Sequence, residues 1–233
     1  MKKQMLSVIL PVYNEEKVLE KNVKIIMKAL NKLPYDFEII LSEDGSTDRT
    51  AEIADSLENN KIIVLHNGGR KGKGAAIKNA VSRAKGDIVL FMDADLASNP
   101  KYTKQLLKPF ENDVAIVSGS RYHKESKTQR TPLRHFASKS FNFLVKIMLN
   151  SKLSDHQCGF KAFRKDAVLP LINDIEDTKW FWDTELLVRA QRKGLKIVEV
   201  PIEWKEEPDS KFRLLDDTYH MAKSLFSFKI KQG

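Results

Sequence analysis

The sequence predicts an α/β protein built on a mostly parallel sheet flanked by helices, and three observations predict it. Short β-rich apolar runs alternate with helix-compatible stretches through the first half of the 233-residue chain, the pattern of a parallel α/β sheet. Those runs are nearly continuous in apolar residues, as strands covered on both faces are. The composition, 42% apolar and 30% charged with 10 Gly and 8 Pro, belongs to a globular chain and argues against disorder or a repeat array.

Strands are expected at residues 6–10, 37–41, 61–65, 87–92 and 114–118. A first helix over 15–30 places Val18, Leu19, Val23, Ile26, Met27 and Leu30 on one face, with Asn14 as its cap, Glu15 and Glu16 favouring its dipole, and Pro34 as its stop. A second helix follows Ser46-Thr47-Asp48, a cluster suited to capping. A third follows Gly72, carries Ala75, Ala76, Ile77, Ala80, Val81 and Ala84, and ends at Gly86. Beyond residue 120 the alternation lapses into a basic loop, an amphipathic stretch over 132–149, a short segment at 159–163, a helix near 183–192 and a strand near 196–200. Nothing reads as an interdomain linker, so residues 1–233 are expected to form a single domain.

The net charge of +9 is unevenly placed. Residues 1–120 hold 18 basic and 16 acidic side chains, whereas residues 121–152 alone hold eight basic residues and one acid, Glu125. Such clustering points to an anionic partner rather than to general solubility. The single cysteine, Cys158, excludes an internal disulfide framework. Met1 to Met5 run into a strand-like segment without a signal-peptide apolar stretch, so a reducing, cytoplasmic setting is expected. No window approaches the roughly 18 to 20 apolar residues of a spanning helix.

Asp93-Ala94-Asp95 directly follows the apolar run 88–92. Residues there stand at the carboxyl edge of a parallel sheet, where ligand crevices form. Two hard oxygen ligands at that edge suit Mg²⁺ or Mn²⁺ shared with phosphate oxygens. A second acidic turn, Glu43-Asp44-Gly45-Ser46, ends another buried run, and Pro11-Val12-Tyr13-Asn14-Glu15 ends the first, offering a ring and polar groups to a base and ribose. Gly68-Gly69-Arg70-Lys71-Gly72-Lys73-Gly74 fails the P-loop pattern, with Asn67 and Gly74 in place of the required Gly and hydroxyl. It still reads as a basic loop before a helix, able to meet a diphosphate through backbone N–H groups and Lys73.

Taken in order, Pro11 to Glu16, Glu43 to Thr50, Gly72 to Ala76 and Asp93 to Asp95 resemble the family 2 glycosyltransferases, whose GT-A fold carries a Rossmann-like sheet. The resemblance implies a nucleotide-sugar donor, with Pro11, Tyr13, Glu15 and Asp44 around the nucleoside. It also implies Lys73 at the diphosphate and a divalent metal on Asp93 and Asp95. Downstream, Asp155 to Phe163, Phe181 to Leu187, and Val200 to Glu206 with Ser210-Lys211 resemble the enzymes that glycosylate polyprenyl or dolichyl phosphate, the glucosyl branch more than the mannosyl one. Glu43 replaces the commoner Asp, and Ala97 stands where mannose synthases often supply a Gln. A UDP-sugar is thus expected over a GDP-sugar.

The basic segment then has a task, since a lipid phosphate needs cations where it meets the donor. Arg121, Arg134 and Ser138 are the candidates: Arg134 and Ser138 lie one helical turn apart, and Arg binds phosphate bidentately. Lys124, Lys127 and Arg130 read rather as a solvated face. Asp155 and Asp183 are candidates to orient phosphate or sugar, and Asp183 matches the position of the base in relatives that use a hydroxyl acceptor. Leu133, Phe136, Ala137, Leu144, Ile147 and Met148 share one face of the 132–149 helix, widened by Phe141 and Phe143. With the stretch 219–231, that face is suited either to the core or to peripheral attachment at the cytoplasmic side of a membrane. Residues 1–120 are accordingly expected to bind donor, and 121–233 acceptor and membrane. A mannosyltransferase using GDP-mannose, a transferase acting on a glycan hydroxyl, and a module binding nucleic acid or anionic lipid remain alternatives. The last gives no reason for acidic turns at strand ends, so no nucleic-acid partner is expected.

Overall fold

The computed structural model describes residues 4–207 and 214–231; Met1 to Lys3 and Ser210-Lys211 lie outside the described residues. Nine strands and eight α-helices are found among them. In the first half these are β1 (Met5–Val12), α1 (Leu19–Leu30), β2 (Asp36–Glu43), α2 (Thr50–Leu57), β3 (Ile62–His66), α3 (Lys73–Arg83), β4 (Ile88–Met92), α4 (Thr103–Leu107) and β5 (Ile116–Ser120). The second half holds β6 (Lys127–Gln129), α5 (Pro132–Leu149), β7 (Phe160–Arg164), α6 (Lys165–Asn173), α7 (Trp182–Arg192), β8 (Ile197–Pro201), β9 (Glu203–Lys205) and α8 (Leu214–Lys231).

Seven strands form one sheet in the order β3-β2-β1-β4-β7-β5-β8. All neighbours are parallel except β7, which runs antiparallel between β4 and β5. The short β6 and β9 pair in parallel as a separate ribbon. Both sheet faces are covered. Val8, Leu10, Ile39 and Leu90 meet α1 and α4 residues such as Leu19, Ile26 and Leu106, while Ile9, Ile40, Phe91 and Phe163 meet Ile77, Val81, Leu171 and Leu186 of α3, α6 and α7. The continuous apolar runs are explained by this double burial.

The expected strands are present, with ends displaced by a few residues. Two local expectations need correction. Asn14 does not cap α1, because it adopts a left-handed φ of 53° and pairs with Thr47 across the strand ends; the chain turns through Glu15 to Val18 before α1 begins. The helix α3 ends at Arg83, ahead of Gly86. The helix α6 and the insertion of β7 do not follow from periodicity, because a strand's place in a sheet is set by its neighbours and not by its own pattern.

A third cluster joins α5, α7 and α8 through Phe141, Val145, Leu149, Phe181, Val188, Met221, Leu225 and Phe228. Both faces of α5 are therefore apolar. Phe141, Val145 and Leu149 point inward, whereas Leu133, Phe136, Phe143, Leu144 and Ile147 are exposed, as are Phe226 and Ile230 of α8. No helix among the described residues is long and apolar enough to cross a membrane.

Candidate active site

A cleft of about 490 Å³ opens at the carboxyl ends of β1, β2 and β4 and is closed on its far side by α5, α7 and α8. Pro11, Tyr13, Glu15, Asp44, Lys73, Asp93, Asp95, Arg121, Arg134, Ser138 and Asp183 all line it. Asp155 does not.

The acidic end is built on strand termini. Asp93 follows β4, its amide donating to the carbonyl of Gly159 at 3.1 Å, and its Oδ1 meets Nζ of Lys73 at 2.6 Å. A Cβ at residue 159 would lie 1.8 Å from Asp93 Oδ2, so only glycine leaves that carboxylate its room. Leu96 then takes a left-handed φ of 59°, costly for a bulky side chain, and turns the chain so that Asp95 Oδ1 accepts the amide of Ala97 at 2.9 Å. Burial and the adjacent Asp93 raise the Asp95 carboxyl to about 6. Two close carboxylates facing one lysine form a site with surplus negative charge, and its hard oxygen donors fit Mg²⁺ or Mn²⁺. Among the described residues no cluster of three or more candidate ligands occurs, so coordination positions are left to phosphate oxygens and water.

The glycine-rich loop is held differently from a phosphate cradle. Asp44 accepts the amides of Lys71 and Gly72 at 2.9 and 2.8 Å, and the Ala75 amide goes to Thr178. The Lys71, Gly72 and Ala75 amides are therefore engaged within the protein rather than turned to a diphosphate, while Lys73 lines the cleft. Gly72 has φ 106° and touches the Thr178 carbonyl where a Cβ would sit, so the loop tolerates no side chain there. The Arg70 guanidinium stacks 3.8 Å over the Tyr13 ring.

The basic end rests on buried pairing. Arg121 donates to both oxygens of Asp155 at 2.7 Å, and Asp155 is 0% exposed. The carboxylate holds Arg121 well above, and the guanidinium holds Asp155 well below, their ordinary values, against the opposing effect of burial. Asp155 thus positions Arg121 and is out of reach of a reacting group. Arg134 pairs with Glu206 at 3.0 Å, and Ser138 accepts from the Tyr122 hydroxyl at 2.9 Å.

Arg130 belongs here as well, contrary to the reading of it as a solvated face. It lines the cleft, donates to the Tyr122 hydroxyl and the Arg134 carbonyl, and lies over the Trp204 ring at 5.3 Å, with Arg121 also near that ring at 5.5 Å. Its Nε is buried without a partner. Burial and Arg121 push its pKa down, as expected of a cation lacking a carboxylate contact. No local sequence signal marks it, because Arg130 precedes α5, and only the fold shows that it lies against Trp204 of β9.

The family model for glycosyl transferase family 2 matches residues 7–170. The chain belongs to this family. Its seven-stranded, mostly parallel sheet flanked by helices is the GT-A fold, and the chain superposes on glucosyl-3-phosphoglycerate synthase from Mycobacterium tuberculosis in complex with uridine diphosphate with a TM-score of 0.74 at 22% identity, over 98% of this chain and 79% of that one. It is 40% identical over 224 residues to glycosyltransferase AglD of Haloferax volcanii, covering 94% of this chain but 36% of that protein. It is 36% identical over 220 residues to dolichyl-phosphate beta-glucosyltransferase ALG5C of Trichomonas vaginalis, covering 88% of this chain and 65% of the relative. Over 243 residues it is 32% identical to dolichyl-phosphate beta-glucosyltransferase of Homo sapiens, covering 97% and 75%. The chain therefore spans about a third of the length of AglD and about two thirds to three quarters of the other two.

Proposed function

We propose that this glycosyltransferase moves glucose from UDP-glucose to a polyprenyl or dolichyl phosphate with inversion at the anomeric carbon. One observation carries the reading: a single cleft joins an acidic, metal-suited end to an arginine end formed by α5 and the chain before it, and the outer face of α5 is apolar and exposed. Relatives named dolichyl-phosphate beta-glucosyltransferases support the same choice of acceptor and sugar.

In this mechanism residues 1–120 of the single domain supply the donor ligands. Tyr13, Pro11 and Glu15 receive the nucleoside, and Asp44 acts by fixing the loop that carries Lys73. Asp93 and Asp95 would hold Mg²⁺ or Mn²⁺, which when bound supplies charge stabilisation to the leaving diphosphate. Complexes of the Mycobacterium tuberculosis synthase with Mn²⁺ and UDP-glucose support that donor and metal class. Lys73 adds a second positive charge at the same oxygens.

Residues 121–233 supply the acceptor side. Arg121, Arg130, Arg134 and Ser138 bind the lipid phosphate and aim one oxygen at the sugar. That oxygen is ionised near neutral pH, so no residue is needed to remove a proton from it. Leu133, Phe136, Phe143 and Ile147 on α5, with Phe226 and Ile230 on α8, rest on the membrane surface, and Lys139, Lys146, Lys223 and Lys229 meet anionic headgroups. Attachment is peripheral, at the cytoplasmic face, as the unpaired Cys158 suggests.

The test is incubation of the protein with UDP-glucose, Mn²⁺ and a short polyprenyl phosphate, with GDP-mannose and a glycan acceptor as competitors. Glycolipid forms from UDP-glucose, and Asp95→Asn lowers kcat/KM by about 10² to 10³. Glycolipid from GDP-mannose alone, or from neither donor, overturns the assignment.

A further inference from the structure

Away from the catalytic cleft, the helices α5, α7 and α8 meet again near their carboxyl ends and leave an open groove of about 620 Å³. Its floor is apolar, with Leu149, Leu153 and Val188 buried. Its rim is basic. Lys152, Arg192 and Lys229 line it and are exposed, and no Asp or Glu stands among the described residues that line it. The places of Arg192 and Lys229 in the last turns of α7 and α8 suit the negative ends of those helices. That explanation does not reach Lys152, three residues past the end of α5, or the lack of any acid around the groove.

The walls of the groove are tied to one another. The Lys152 amide donates to Gln191 Oε1 at 2.9 Å, and Gln191 Nε2 donates to Ser151 Oγ at 2.8 Å, so the chain leaving α5 is fastened to the last turn of α7. The Arg192 guanidinium lies 5.6 Å from the centre of the Phe228 ring and links α7 to α8. Ile147 also lines the groove and is 65% exposed. It follows Phe143 by four residues and Phe136 by eleven, and all three are exposed on the same side of α5. The apolar stripe of α5 therefore runs from the cleft, where Arg134 and Ser138 stand, to the basic groove, and Ile147 is about 13 Å beyond Ser138 along the helix.

Resting on the peripheral attachment read above, we propose that this groove is a second lipid site, in which Lys152, Arg192 and Lys229 bind the phosphate headgroup of an anionic membrane lipid other than the acceptor. Charge and setting select that occupant. Three cations without a carboxylate favour a phosphate with net negative charge over a zwitterionic headgroup. A soluble anion would satisfy the cations but leave Ile147 and the stripe beside it in water, whereas a bilayer lipid covers both. With a headgroup held at each end of the stripe, α5 lies parallel to the membrane plane and the cleft meets the leaflet that carries the acceptor. The two contacts raise each other's effective concentration, so the groove lengthens residence on the membrane without taking part in the chemistry.

The test is co-sedimentation of the full chain with vesicles of phosphatidylcholine, alone or mixed with phosphatidylglycerol. The parent binds the anionic vesicles about tenfold or more tightly than the neutral ones, and high salt narrows the difference. Lys152→Gln lowers affinity for the anionic vesicles about fivefold and Lys152→Glu about 25-fold. Both leave binding to neutral vesicles, and turnover of a short, water-soluble polyprenyl phosphate, as in the parent. Lys32→Gln, an equal change of charge at an exposed lysine after α1 on the opposite sheet face, leaves anionic binding unchanged. In an NMR titration with dispersed short-chain phosphatidylglycerol the amides of Gly194 and Leu195, which line the groove, shift, and with inorganic phosphate they do not. Equal losses at Lys152 and Lys32 show a diffuse field and overturn the site, and equal shifts with inorganic phosphate overturn the lipid as its occupant. A parent that binds neither vesicle removes the membrane reading itself, whereas anionic binding that survives undiminished in both Lys152 variants overturns the groove alone.

Discussion

At the acidic end of the cleft the side chains belong to strand termini and are fixed by close backbone: Asp44 by the amides of the glycine-rich loop, Asp95 by the amide of Ala97, Asp93 by Lys73 and by the room left at Gly159. At the basic end the arginines stand on a loop and on α5 and take their geometry from distant partners, Arg121 from Asp155 and Arg134 from Glu206. The contrast teaches that one site can draw its shape from two sources. Sheet topology shapes the first end, and buried charge pairing shapes the second.

The contrast breaks most visibly at Asp155. If pairing shapes the basic end, Asp155→Asn strands the Arg121 guanidinium in a dry setting and lowers unfolding stability by about 3 to 5 kcal/mol, read as a shift in the urea midpoint. UDP binding in the surviving folded fraction stays as in the parent. A variant as stable as the parent shows that Arg121 does not depend on the pair.

Arg130 sharpens the contrast, because it is the arginine of this end whose contacts are neutral groups and a ring. Arg130→Gln raises the acceptor KM about 10- to 100-fold, the worth of a charge-assisted hydrogen bond, with the donor KM unchanged. Equal losses for donor and acceptor place Arg130 in general support of the fold instead.

The smallest effect concerns His156, which ties the 151–158 loop to α5 by donating from Nδ1 to Asn142 Oδ1 at 2.7 Å and accepting at Nε2 from Ser151. Burial pushes its pKa down to about 3 from the ordinary 6.5. The native state stays neutral while the unfolded chain takes up a proton, so stability falls as pH drops from about 6.5 toward 3. Between pH 6.5 and 5 the loss is about 2 kcal/mol. Urea melts across that range measure it, and His156→Gln flattens the slope; a His156 imidazole resonance, assigned by its loss in His156→Gln, that titrates near 6.5 in the folded protein contradicts the assignment.

The same division decides what a reader of the sequence could find. The strands, the acidic turns and Lys73 were legible because each depends on residues adjacent in the chain. The bounds of α5 were legible too, from a proline at its start and a continuous apolar pattern. Its orientation was not, since Phe141 and Phe136 are equally apolar and only the partner helices α7 and α8 decide that the first is buried and the second exposed. Arg130 was hidden for a related reason. Nothing local distinguishes a solvated arginine from one enclosed by Trp204, seventy-odd residues downstream. Asp155 misled in the opposite sense: its place in a motif suggested contact with substrate, while its burial under Arg121 makes it a support.

The antiparallel insertion of β7 has a consequence for how the polypeptide comes together. The strand β5 finds its neighbours only in β7 and β8, and β4 has β7 on one side. A nascent chain released after residue 120 would carry β5 with nothing to join and β4 as a bare, greasy margin, a template for clumping. Residues 1–120 are not a detachable module, and a ribosome must deliver at least residue 164 before the central sheet can close.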